Sequence, residues 1–237
     1  MKVGVIMKNI VICGAGGFGR EVAWLIENIN KVKKEWNIMG FIDNTPELKE
    51  KIINKYPVLG DESWFDGIGY PIYTVCAVGS SIGKRSWIER LSKNKNIQFA
   101  TLIDPSVNIS NVVQIGEGTI ICAGTIATVN IRIGNHVIIN LDCTLGHDAI
   151  ILDYCTINPS VNISGNVYIN SMVEVGTGTN IIQGKSIGTN SIIGAGSVVT
   201  KDIPDYCTAV GIPAKPIKFH SEQKGVLELQ INLPDIN

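Results

Sequence analysis

The residues with the most chemistry in this chain stand together in Asn140-Leu141-Asp142-Cys143-Thr144-Leu145-Gly146-His147-Asp148. An imidazole titrates near neutrality, so His147 suits a general base that takes a proton from an attacking amine or hydroxyl. A carboxylate beside the ring can orient it and stabilise its protonated form, and Asp148 and Asp142 are the local candidates. Adjacent residues of a strand point to opposite sides, which leaves the reach of Asp148 open. On residue type alone, a single histidine on a surface bend reads first as a solvated side chain. His136 and His220, among polar residues in a bend and in the tail, read as solvated too.

A second group is Gly14-Ala15-Gly16-Gly17-Phe18-Gly19, between the apolar run Lys8–Cys13 and the helical pattern Arg20–Ile26. Strand, glycine turn and helix are the context in which a GxGxxG motif has meaning. The glycines let the backbone approach a phosphate, and the helix start offers free N–H groups and a positive dipole end. Asp43 follows a second strand, Ile38–Ile42, where an acidic residue commonly meets a ribose or base. Gly14, Gly16, Gly17 and Asp43 are therefore candidate nucleotide contacts. That the glycines only turn the chain is an equally open reading.

What must position His147 is a repeat. In steps of six from Ile103 to Val199, every position is Ile, Leu or Val except Ala127. Glycine often follows the aliphatic residue, as at Gly116, Gly134, Gly146 and Gly176, and reads as the residue that permits the turn. A small or β-branched residue usually stands four places on. So short a fixed period means a solenoid whose units bury their apolar residue only by stacking. A β-sandwich would instead show alternation of period two. The pattern resembles the hexapeptide repeat of left-handed parallel β-helices, with three hexads per triangular coil. The expected fold is thus an α/β Rossmann-like N-terminal domain over residues 8–102, a left-handed parallel β-helix over 103–218 and a tail over 219–237.

The N-terminal part reads as a small four-stranded α/β unit. Pro46–Ile53 is expected as a short helix, Ile72–Val78 as the third strand and Ile97–Ala100 as the fourth. Ser81–Lys93 is expected as an amphipathic helix with Ile82, Trp87, Ile88 and Leu91 as its apolar residues. This is about half of a full dinucleotide fold, which favours a nucleotide diphosphate over a nicotinamide cofactor and makes a dehydrogenase a weak reading. After the repeat, the prolines of Val210-Gly211-Ile212-Pro213-Ala214-Lys215-Pro216 are expected to end strands. Met1–Met7 reads equally as an extension or as a stretch before an alternative start at Met7, and Val226, Leu227, Leu229 and Ile231 as a short packed helix.

Composition narrows the class. Charged residues make up 17% and the net charge is −1, without the basic footprint of a nucleic-acid binder. No apolar run reaches the ~18–20 residues of a membrane span, and no signal peptide is evident. The six cysteines are scattered without CxxC spacing, and Cys143 and Cys155 fall on inward repeat positions. They read as core residues of a reduced, cytoplasmic protein, with no metal site.

Three segments carry a resemblance: Cys13-Gly14-Ala15-Gly16-Gly17-Phe18-Gly19-Arg20-Glu21-Val22, the stretch Asn140–Pro159, and Val210–Pro216 with its GIPAK core. Together they resemble the sugar O-/N-acetyltransferases of the sialic acid O-acetyltransferase type, which include bacterial N-acetyltransferases of nucleotide-linked 4-amino sugars. The resemblance spans Lys8 to about Lys218. It implies a homotrimer, acetyl-CoA lying along the β-helix between subunits, and a nucleotide-linked sugar held by the N-terminal domain. By it His147 matches the catalytic histidine and Asp148 its acidic neighbour. Gly165, one coil on, would offer its N–H to the thioester oxygen, and Thr177 and Ala195 would meet the pantetheine arm with their backbone. Lys215 would lie near the CoA end, and Gly14, Gly16 and Asp43 would form the nucleotide turn. One departure stands out: several amino-sugar enzymes of this type carry a second histidine nine residues after the first, where this chain has Thr156.

The expected activity is direct acetyl transfer from acetyl-CoA to the amino group of a nucleotide-linked sugar, for surface glycan synthesis, with His147 as base. O-acetylation of a sugar such as sialic acid is the alternative that nucleotide-sugar binding would separate. A non-catalytic β-helix scaffold is the alternative that acetyl-CoA binding would separate.

Overall fold

The computed structural model describes residues 7–221. The expected N-terminal extension and the apolar residues Val226–Ile231 lie outside these residues, save for Met7. The chain begins with β1 (Lys8–Cys13), α1 (Gly17–Val32), β2 (Trp36–Ile42), β3 (Ile52–Ile53), β4 (Tyr56–Gly60), β5 (Ile72–Cys76), α2 (Ser81–Leu91) and β6 (Ile97–Phe99). They form one six-stranded sheet of order β3-β4-β2-β1-β5-β6. β1 pairs in parallel with β2 on one side and β5 on the other, so the strand order reverses beside it. Such a switch point opens a crevice at the carboxyl ends of the strands.

Three expectations of this region are corrected, the first being the strand count, which the hairpin of β3 and β4 raises from four to six. Pro46–Ile53 is not one helix: Pro46–Leu48 makes a 3₁₀ turn, and Ile52–Ile53 pairs antiparallel with Tyr56–Pro57. Asn54 and Lys55 both hold positive φ, 44° and 72°, which is the mirror-image turn that matches the twist of a hairpin. In α2 the buried residues are Ser81, Lys84, Ile88 and Leu91, whereas Ile82 is exposed. The helix lies against the rest of the chain on a partly polar face.

From Leu102 to Val199 the chain lays down two-residue strands, one per hexad, which distribute in turn onto three parallel faces. Each strand pairs with the one eighteen residues on, as Ile121 with Ile139 and Leu145 with Ile163. This is the triangular coil of a left-handed parallel β-helix. The period-six aliphatic residue points inward, and together with the small residue four places on it fills a continuous core. The first face carries the strands at Ile120, Ile138, Thr156, Glu174 and Ile192; the second those at Ile126, Thr144 and Asn162; the third those at Arg132, Ile150 and Tyr168.

The glycine after the aliphatic residue does not make the turn. A Cβ on Gly116 would fall 2.5 Å from the Gly134 backbone, and one on Gly176 2.5 Å from the Ala195 nitrogen. These glycines allow close stacking of coils. The bend comes two places later, at a position with positive φ in hexad after hexad: Gly118, Gly124, Asn130, His136, Asp142, Asp148 and onwards to Gly196. Gly, Asn and Asp tolerate that conformation best, which explains most of the residues found there.

The coil is closed at its far end by a hairpin of Cys207–Gly211 and Ala214–Phe219. Pro216 lies inside the second strand rather than ending it. That strand is at the sheet edge, where a missing donor is tolerated. Phe219 therefore belongs to the hairpin and not to the tail. His220 is not simply solvated, because its Nε2 is 2.9 Å from the Thr208 hydroxyl.

His136 is the larger correction. It is 5% exposed, stacked on Tyr154 and edge-on to Phe99. Its Nδ1 is buried without a hydrogen-bond partner among the described residues. Burial, with Lys84 nearby, pushes the imidazole down to about 4. The left-handed bend tips this side chain toward the N-terminal unit instead of outward.

Candidate active site

His147 stands at the corner where the chain passes from the second face to the third. The strand Thr144–Leu145 ends at Gly146, and Gly146 packs on the next coil: a Cβ there would meet Gly165 nitrogen at 2.6 Å. Asp148 then holds φ 59°. That left-handed residue brings the Asp148 carboxylate back beside its neighbour, so the alternation of a straight strand does not apply. Asp148 Oδ2 is 2.8 Å from His147 Nδ1. Oδ1 accepts from the amide of Asn130, one coil earlier, at 3.2 Å. Hydrogen bonds from His147 and then Asn130 hold the Asp148 carboxyl below its usual range. Asp142 sits elsewhere, over Gly124 at another corner.

An ionised carboxylate only accepts, so Nδ1 carries the proton and Nε2 is left with its lone pair. The side chain of His147 is half exposed. Its ring lies over Gly165: a Cβ on that glycine would fall 2.5 Å from Cε1 and closer still to Nε2. Only glycine leaves the imidazole its seat. The Gly165 N–H makes no hydrogen bond within the described residues, whereas the same turn position at Asn135 donates to Asp153. A basic nitrogen and an unused backbone donor thus share one corner. Beside it the third face forms a depression of about 420 Å³ lined by Val112, Asn130, Arg132, Asp148 and Ile150.

Thr177 and Ala195 lie one above the other, but at the corner between the first and second faces. Both are exposed, and their N–H groups have no partner among the described residues. Flanking Gly178 and Gly196 leave open space around the backbone. The resemblance expects the pantetheine arm along this small-residue track. Within one chain it is a different corner from that of His147 and Gly165, so the structure does not bring the two pairs together. Lys215 is exposed on the closing hairpin and forms no ion pair among the described residues.

At the N-terminal crevice the glycines divide by role. Gly14 has φ 100° and a Cβ there would fall 3.0 Å from the Ala77 carbonyl, and a Cβ on Gly19 would overlap the Gly14 carbonyl. The fold itself needs both. Gly16 and Gly17 have no such neighbour: a Cβ on Gly16 would meet nothing, and one on Gly17 only the end of Arg20 at 3.9 Å. The open space over these two lies at the start of α1, where helical N–H groups are unpaired. Asp43 faces inward to the turn, accepting from Ala15 N–H at 2.8 Å and from Thr45 N–H at 2.9 Å. Burial opposes its ionisation, but these amide bonds outweigh it and hold the carboxyl below its usual range.

Several residues at this crevice carry no motif. Glu174 of the first face accepts from the Ser81 N–H and hydroxyl at 2.7 and 2.9 Å, and so occupies the start of α2. Thr156 is buried, far along the coil from the His147 corner, and donates to the Gly79 carbonyl at 2.7 Å. Asn130 could be found from sequence, eighteen residues before Asp148; Lys84, Thr156 and Glu174 could not. Among the described residues no group of three or more His, Cys, Asp or Glu side chains is placed to hold a metal. All six cysteines are free and buried. No described helix is long and apolar enough to cross a membrane.

The PglD N-terminal domain family matches residues 9–91. WeeI from Acinetobacter baumannii AYE is 32% identical, covers 90% of this chain and 100% of its own, and superposes with TM-score 0.80. The acetyltransferase domain of PglB from Neisseria gonorrhoeae FA1090, solved in complex with acetyl coenzyme A, is 28% identical over 90% of this chain and 100% of its own, with TM-score 0.82. PerB from Caulobacter crescentus, solved in complex with CoA and GDP-perosamine, is 27% identical over 89% and 98%, with TM-score 0.77. The chain spans about half the length, or less, of the curated relatives it matches; a galactoside O-acetyltransferase of Lactococcus lactis is 35% identical over 126 residues, 50% of this chain and 51% of that protein.

Proposed function

The chain belongs to the PglD-type hexapeptide-repeat sugar acetyltransferases, and from that premise we propose that it moves an acetyl group from acetyl-CoA to the amino group of a nucleotide-linked amino sugar. The observation that carries this reading is the His147 ring, seated on Gly165 and tied through Nδ1 to Asp148 at 2.8 Å. Acetyl-CoA, when bound, supplies the activated thioester carbonyl. His147 Nε2 takes the proton of the attacking amine, a contribution of about 10²–10⁴-fold. Gly165 N–H meets the oxygen on which charge grows, worth about 10²–10³-fold. The proton then passes from the imidazolium to the departing thiolate, so the products are the N-acetyl sugar and CoA. Asp148, held by Asn130, keeps the tautomer and direction of the ring.

The nucleotide is proposed to sit with its diphosphate over Gly16 and Gly17 at the free start of α1. The start of α2 already holds Glu174. PerB was solved with a GDP-linked sugar and CoA together, which supports a nucleotide-linked acceptor here. We also propose a homotrimer. A groove between subunits would pair the His147–Gly165 corner of one chain with the Thr177–Ala195 corner of its neighbour, with Lys215 toward the CoA end. Light scattering should give three times the 25.6 kDa chain mass.

The test is thiol release from acetyl-CoA against UDP-, GDP- and dTDP-linked 4-amino sugars, with sialic acid alongside. Release with a nucleotide-linked amino sugar, abolished by His147→Ala in a folded protein, is the expected outcome. Release only with sialic acid moves the function to O-acetylation. Near-normal turnover of His147→Ala removes the mechanism.

A further inference from the structure

We infer that Lys84 is a positioning residue for the acceptor: by gripping the β-helix beside Thr156 it fixes the Gly79–Ser81 wall of the nucleotide crevice. The inference rests on the proposed nucleotide reading of that crevice.

Lys84 lies in the first turn of α2 and is 1% exposed. Its surroundings do not favour a cation. It sits near the positive end of the helix dipole, and among the described residues no carboxylate lies within ion-pair distance. Burial pushes the ammonium down to about 8, against the opposing pull of Cys155, Cys76 and Glu174. An apolar side chain of similar length would suit the fold at least as well. Nothing would be orphaned by it, because the Cys155 carbonyl also accepts from Ile138 N–H at 2.9 Å. Folds break a local rule of this kind mainly at functional sites.

What Lys84 does is visible in its contacts. Nζ donates to the Cys155 carbonyl and to the Thr156 hydroxyl, each at 2.9 Å. That hydroxyl passes its own proton to the Gly79 carbonyl at 2.7 Å. One rung on, Glu174 pairs in register with Thr156 and accepts from Ser81. Two successive rungs of the first face therefore clamp the end of the β5–α2 loop, at Gly79 and at Ser81 where the helix begins. This loop faces the Gly14–Gly17 turn across the switch point, and a Cβ on Gly14 would fall 3.0 Å from the carbonyl of Ala77, the first loop residue. The clamp sets the crevice against the β-helix, and with it the reach of a sugar carried on the nucleotide. His147 lies at another corner and is not touched by it.

The test uses the full chain with Lys84→Met and Thr156→Val, singly and together. UDP, GDP, dTDP and acetyl-CoA are titrated by calorimetry, and kcat and KM are measured with the active amino-sugar nucleotide. Affinity for whichever nucleoside diphosphate the wild type binds should fall about tenfold in each single variant, the effect of one lost polar contact. The acceptor KM should rise in step, with kcat at saturation within about threefold. Acetyl-CoA affinity should stay within about twofold. The double variant should be no weaker than Lys84→Met, because both act through one chain of contacts. Unchanged nucleotide affinity in both single variants, or a joint loss of nucleotide and acetyl-CoA binding, overturns the inference alone. A wild type that binds none of UDP, GDP and dTDP overturns the nucleotide reading and this inference with it.

Discussion

Gly165→Ala is the sharpest perturbation of the proposed chemistry. Gly165 does not lie in the left-handed region, so alanine is compatible with its backbone. The added Cβ would stand 2.5 Å from His147 Cε1. An ordinary carbon contact needs about 3.5 Å, so the ring must retreat by about 1 Å. The ring is the movable partner, since its side chain is half exposed and the Gly165 backbone is locked between coils by Gly184 N–H on its carbonyl. A 1 Å misplacement of a catalytic group costs about 10²-fold, and full loss of the base about 10²–10⁴-fold. Thiol release should therefore fall about 10²–10³-fold in kcat/KM, with the melting temperature within about 3 °C of wild type. Acetyl-CoA binding, followed by calorimetry, should weaken far less than turnover. Full activity in a folded Gly165→Ala protein would refute the idea that the imidazole works from this seat.

Three further outcomes follow from the geometry. Asp148→Asn should lower kcat about 10–100-fold without changing acetyl-CoA affinity, because an amide no longer fixes the Nδ1–H tautomer; a wild-type rate would separate Asp148 from the mechanism. Gly16→Ala should keep its melting temperature within about 2 °C yet lose UDP and GDP binding, since its Cβ meets only open space. Gly19→Ala should instead destabilise the fold by about 3 kcal/mol or more, because its Cβ overlaps the Gly14 carbonyl; equal behaviour of the two variants in thermal melts would contradict the division of roles. His136 makes the fold acid-sensitive. Its imidazole is held down to about 4 from an ordinary 6.5, so between these values the unfolded chain binds a proton that the folded chain does not. Its contribution to stability is complete above pH 6.5, declines as the pH falls and is gone near pH 4, a loss of about 3 kcal/mol. Urea unfolding of His136→Phe at pH 7 and pH 4.5 should show a flatter pH dependence than wild type; an identical slope would place the acid sensitivity elsewhere.

The six-residue register was readable from Ile103 to Val199 because a solenoid writes its core locally. Each hexad must bury one aliphatic residue, so the period survives in the chain itself. Strand, glycine turn and helix from Lys8 to Ile26 were legible for the same reason: strand propensity, glycine spacing and helical periodicity are all local. His147 stood out by residue type. What residue type and spacing left open is what depends on residues eighteen apart or on separate units. The carboxylate of Asp148 reaches His147 because of a backbone bend, and the imidazole has its seat because Gly165 lies one coil away. His136 looks polar in sequence and is buried because the N-terminal unit covers it. The turn glycines Gly14 and Gly19 could be told from Gly16 and Gly17 only when the neighbours of each missing Cβ were known. Lys84, Thr156 and Glu174 carry no pattern at all, since their contacts join a helix to two rungs of a distant sheet. A period records which residues must be buried; only the folded chain decides which polar atoms come within hydrogen-bond reach of one another.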